Sequence, residues 1–158
     1  MDIFKFLFAP ILAAAMATGP VSAQDQSVAL SGDVMLEKAT VGSDGSTTTE
    51  LVEPTTIVPG DRLVFGTDYT NTSSETVENF VVTNPLPEAV RLAPDAPADL
   101  TVSVDGGATW GTLSGLSIPV EGETPRPAEH ADVTHVRWTL ATVAAGASGR
   151  VEYPAIIR

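Results

Sequence analysis

Six side chains able to hold a cation or move a proton fall between positions 121 and 135: Glu121, Glu123, Glu129, His130, Asp132 and His135. Carboxylate oxygens suit Ca²⁺, while imidazole beside carboxylate suits Zn²⁺ or general acid–base work. Their spacing fits neither ion well. Ca²⁺ takes about six to eight oxygens, usually supplied at fixed intervals, and the chain has no Asp-x-Asp-x-Asp-Gly run. A zinc site on one element wants histidines closer together than His130 and His135, as in His-x-x-x-His. The simpler expectation is a solvated acidic loop, with no metal and no cofactor. Hydrolytic chemistry has less to draw on: there is no G-x-S-x-G, and two histidines leave few ways to build a Ser-His-Asp set.

Ser103-Val104-Asp105-Gly106-Gly107-Ala108-Thr109-Trp110 is a denser constellation. It looks like the Asp-box hairpin, S-x-D-G-G-x-T-W, that recurs in sialidases and other propellers. The resemblance implies a structural turn in which the Asp oxygens tie backbone N–H groups and the Trp packs beneath. A single copy implies no sialidase activity. The aromatics Phe65, Tyr69, Phe80, Trp110, Trp138 and Tyr153 could make a sugar platform, but inward positions on alternating strands predict core.

The elements that position these residues read as strands. Arg62 to Tyr69 alternates, with Leu63, Phe65, Thr67 and Tyr69 on one face. Val58-Pro59-Gly60-Asp61 before it has Pro and Gly at the centre of a type II turn. Val77 to Thr83 forms the next strand, stopped by Asn84-Pro85-Leu86-Pro87. Leu100 to Val104, Val133 to Leu140 and Val151 to Ile157 alternate in turn, with Val136, Trp138, Leu140, Val151, Tyr153, Ala155 and Ile157 inward. Val28 to Ala39 predicts one or two short strands, and 40–49 a loop or the tip of a long hairpin. Glu50 to Ile57 predicts an edge strand or bend, because Pro54 cannot donate to a ladder. Residues 89–99 read as proline-rich and loosely held, and 111–132 as a long connection. Short strands with turn signals at such intervals predict an all-β, immunoglobulin-like β-sandwich of about seven to nine strands.

Residues 1–23 read as an address. Lys5 precedes an apolar run from Phe6 to Thr18, and Val21-Ser22-Ala23 supplies the small residues of a cleavage site before Gln24. A signal peptide at 1–23 and one domain at 24–158 are therefore expected, with export to the periplasm, the cell surface or the exterior. Losing Lys5 and Asp2 with the leader removes one charge of each sign, so the net charge stays at −12. Such a surface repels phosphate backbones and anionic lipid heads, which argues against nucleic-acid and membrane partners. The chain has no Cys, which excludes disulfides and thiolate chemistry.

Taken together, PGD at 59–61, RLVFGTDY, Asn71, NFVVTNPLP, SVDGGATW, VRWTL and the Gly-rich turn into VEYPAIIR resemble the bacterial surface repeat family known as domain of unknown function 11. The likeness spans Val28 to Arg158. It implies an immunoglobulin-like sandwich serving as an extracellular module, and it carries no catalytic residues. The family often occurs as tandem arrays, whereas this chain shows a single copy behind its leader. The functional expectation is a non-catalytic exported structural or interaction module of the bacterial cell envelope or exterior. It would meet a protein partner, or itself, through sheet edges. A carbohydrate- or calcium-binding module is the alternative, and a secreted hydrolase a more distant one.

Overall fold

The computed structural model describes residues 27–158; the expected leader at 1–23, and Gln24 to Gln26, lie outside the described residues. In chain order the strands are β1 (Val28–Val41), β2 (Thr47–Val52), β3 (Arg62–Asn71), β4 (Val77–Pro85), β5 (Val90–Leu92), β6 (Thr101–Ser103), β7 (Gly111–Thr112), β8 (Ser117–Ile118), β9 (Arg126–Pro127), β10 (His135–Val143) and β11 (Ser148–Ile157). Single turns of 3₁₀ helix occur at Leu113–Gly115 and His130–Asp132. One sheet has the order β2-β1-β3-β11-β5 and the other β4-β10-β6-β7, with β8 and β9 as a separate ribbon. All pairings are antiparallel. The chain is thus all-β and sandwich-like, as expected. Three of its eleven strands (β7, β8 and β9) are two residues long, which accounts for the number beyond nine.

The alternation of β3, β10 and β11 decides what is inside. Leu63, Val136, Tyr153 and Ala155 are buried together with Val102, Val90 and Leu92. The Tyr153 ring stacks on Phe65 of the neighbouring strand at 5.1 Å and meets Trp138 of the opposite sheet at 6.2 Å. Tyr153 is only 1% exposed and belongs to the core, with Phe65 and Trp138 packed against it, so the three do not form a free surface platform. Burying one such side chain stabilises by about 1.5–3 kcal/mol. Trp138 itself is only partly buried and packs at the margin.

Asn71 closes β3 and is fully buried. Its side-chain N–H₂ donates to the carbonyls of Glu75, Val143 and Ala144 at 2.8, 2.9 and 3.1 Å. Its side-chain oxygen accepts from the N–H and the hydroxyl of Ser73 at 3.0 and 2.8 Å. One amide therefore satisfies the carbonyls left open where β10 leaves one sheet and the chain turns toward β11 in the other.

Four local expectations change. β1 runs unbroken for fourteen residues rather than as one or two short strands. Its first ten residues pair with β3 and its last six with β2, so no position lacks a ladder partner. The strand expected at 50–57 instead spans Thr47–Val52 and stops short of Pro54. Segment 89–99 is not loose: Val90, Leu92 and Ala93 are buried, because three residues pair with β11 and carry the chain into the core. The connection 111–132 folds back on itself through β8, β9 and the two 3₁₀ turns. The turn before β3 is as expected, with Gly60 at φ 96° and Asp61 N–H donating to the Val58 carbonyl at 3.0 Å.

Candidate functional site

The six candidate ligands of the 121–135 segment are drawn to different partners. Asp132 is gripped by Arg126, whose two terminal nitrogens each donate to one carboxylate oxygen at 2.7 Å. The backbone N–H of Glu129 adds a third donor at 2.8 Å. Arg126 above all holds the Asp132 carboxyl below the ordinary carboxylate range. Glu121 and Glu123 flank the exposed Gly122 turn. His135 lies against the Thr134 hydroxyl at 3.1 Å and meets the Trp110 ring edge-on at 6.2 Å. Glu129 and His130 instead line a groove. Among the described residues no three His, Asp or Glu side chains converge where a metal ion would sit.

The 103–110 turn is built as its composition requires. Asp105 accepts the Thr109 N–H at 2.9 Å and the Thr109 hydroxyl at 2.6 Å, and it also accepts the Ser103 hydroxyl at 2.7 Å. The Gly107 N–H donates to the Ser103 hydroxyl oxygen at 2.9 Å. Gly106 and Gly107 both take positive φ, at 76° and 91°, which a Cβ would disfavour. The Trp110 indole N–H donates to the Gly107 carbonyl at 2.9 Å, and Arg137 lies 3.5 Å above its ring. The guanidinium thus occupies one face of the one aromatic that could have met a sugar near this turn. Donors converging on Asp105, first from Thr109 and then from Ser103, hold its carboxyl down at about 2.

A concave feature lies between the loop after β5 and the two 3₁₀ turns. It is an open groove of about 600 Å³ with Arg91, Pro94, Ala96, Leu113, Ala128 and His130 along its walls. No sequence pattern links segments 91–98, 113–114 and 128–131; only the fold of the long connection brings them together.

Two stretches of sheet edge are exposed. Beyond Glu37, which pairs with Arg62, β1 has no neighbour except β2. From Lys38 to Leu51 the hairpin is therefore a bare two-stranded arm, exposed at every position. Val41 and Leu51 are 69% and 45% exposed. β4 is the other long open edge: it pairs with β10 on one side only, with Val81 46% exposed. Lys38 sits in register opposite Glu50 on the arm.

No family model matches the chain, and no characterised protein or solved structure matches it.

Proposed function

We propose that this chain is a non-catalytic exported module of the bacterial cell envelope or exterior, working by binding a protein partner or another copy of itself through its sheet edges. The observation that carries this reading is the β1–β2 arm. An isolated two-stranded ribbon is marginal in water. This one extends four residues of β1 past the last β3 pair, about 13 Å at strand rise, with no core behind it. Its free edges present unpaired N–H and C=O groups, the template for strand addition. Beyond one lysine its charges are only Asp44 and Glu50, so a partner approaching the arm meets little of the repulsion a −12 chain would otherwise exert. The likeness of its motifs to the bacterial surface repeat family, and the signal-like leader, support the address.

The test is to shorten the arm by replacing Ala39–Thr49 with Asn-Gly, the dipeptide that closes a two-residue hairpin between Lys38 and Glu50. Mature protein and variant are compared by light scattering after size exclusion, and by crosslinking in fractionated producing cells. The expected result is an assembly or crosslinked species that the shortened protein lacks while its thermal midpoint stays unchanged. A native chain that is monomeric at high concentration and crosslinks to nothing in the envelope overturns the reading.

A further inference from the structure

The described residues contain six arginines, and five have partners. Arg62 binds Glu37 and Asp95, Arg126 binds Asp132, and Arg150 binds Asp33, Asp68 and Glu152. Arg137 covers Trp110, and Arg158 donates to the carbonyls of Val90 and Ala131. Arg91 has none, although acidic residues outnumber basic ones by twelve. It is also not free in solvent: it is half-buried, standing between the buried Val90 and Leu92 on β5 and forming one wall of the groove. Opposite charge is abundant in this chain, yet among the described residues no carboxylate pairs with this guanidinium, although Glu129 lines the same groove.

The rest of the groove is chemically different from the surrounding surface. Pro94, Ala96, Ala98, Leu113, Ala128 and Ala131 contribute small apolar side chains, and His130 adds a ring nitrogen able to hydrogen-bond. The walls come from three separate segments, tied in part by Arg158 to the Ala131 carbonyl at 2.7 Å. The Ala128 N–H holds the connection to Leu116 at 3.0 Å. The hollow is therefore held by bonds that do not involve Arg91, which leaves its fork for a ligand.

We propose that this groove binds a small aliphatic carboxylate, its anionic head on Arg91 and its alkyl body along the Pro94–Ala98 loop and Leu113. A guanidinium fork matches a carboxylate with two parallel N–H bonds, and partial burial strengthens that pairing relative to water. A chain of a few methylenes fits the hollow and removes apolar wall from water. Glu129 on the same rim disfavours ligands of higher negative charge. The inference does not depend on the arm or on the envelope reading.

The experiment is an amide NMR titration of the domain with hexanoate, hexanamide and acetate. Hexanoate is expected to give saturable shifts confined to residues 91–98, 113–114 and 128–131. Hexanamide, which lacks the charge, and acetate, which lacks the body, should each bind about tenfold more weakly or worse. Arg91→Ala should weaken hexanoate by at least about the same factor while leaving the rest of the spectrum in place, and Arg91→Lys should fall between. Equal binding of hexanamide, unchanged affinity in Arg91→Ala, or no saturable shift at tens of millimolar would each overturn the proposal.

Discussion

The carboxyl of Asp105 receives two bonds from Thr109 and one from Ser103 while remaining on the surface. Its value of about 2 against an ordinary 3.8 has a direct consequence for stability. The folded form holds the proton less tightly than the unfolded form. The turn's contribution is therefore complete above about pH 4 and is lost as pH falls toward 2. Asp33, Asp95 and Asp132 are also held low, above all by their arginine partners, so their contributions too are lost on acidification. Asp105→Asn keeps the shape but removes the titration. Its thermal midpoint should be lower than that of the native protein at pH 6, and the gap should close by pH 2; melts across that range check it. At the opposite end of the scale, burial pushes the Tyr153 hydroxyl well above its usual value. That group favours the fold below about pH 10 and loses the advantage as alkali ionises it.

At the scale of the element, the alternating strands were legible because period two over eight or more residues has one reading: β3, β10 and β11 place Leu63, Val136 and Tyr153 where the sequence expects them. An element of two or three residues shows a period only where the alternation runs on beyond it, as Leu100 to Val104 does around β6. β5 was therefore invisible in a proline-rich stretch, and with it the outward position of Arg91 and the groove it serves. The acidic 121–135 segment was visible as composition, but its dispersal depends on Arg126 claiming Asp132, a pairing across β9 and a 3₁₀ turn that spacing does not reveal. Gly66 makes a related point within β3. On the outer face of the sheet, Arg150 lies over Gly66 to reach Asp33 at 2.6 Å, Asp68 at 3.1 Å and Glu152 at 3.3 Å. A Cβ on Gly66 would collide with that guanidinium. Gly66→Ala should therefore displace the flexible end of Arg150 and cost about 1 kcal/mol through its lost ion pairs. Adding Arg150→Ala to Gly66→Ala should cost little more, since the displaced guanidinium has already lost those pairs. A double-mutant cycle in urea reads both.

For the whole molecule, the balance of charge is the dominant long-range force. Three arginines absorb six carboxylates in local pairs, and the remaining acids repel one another across the surface. Exposed pairs of this kind are worth about 1 kcal/mol or less each, while the repulsion is summed over the domain. Salt screens both, and the repulsion has more to lose. Raising NaCl from about 10 mM to 300 mM, which shortens the screening length from roughly 30 Å to under 8 Å, should therefore raise the thermal midpoint. A fall would show that the arginine pairs outweigh the net charge.

The buried amide of Asn71 has one more consequence, for how the protein can be made. Asn71-Thr72-Ser73 reads as an acceptor for N-linked glycan. In a eukaryotic secretory host the transferase meets the chain before the β3 corner has closed. The nitrogen it would modify is the one that must donate to Glu75, Val143 and Ala144 in a site with no room for sugar. Sugar addition and corner closure thus compete for the same atom. A host without that transferase leaves the Asn71 amide free for the corner, whereas a glycosylating host is expected to lower the yield of folded chain.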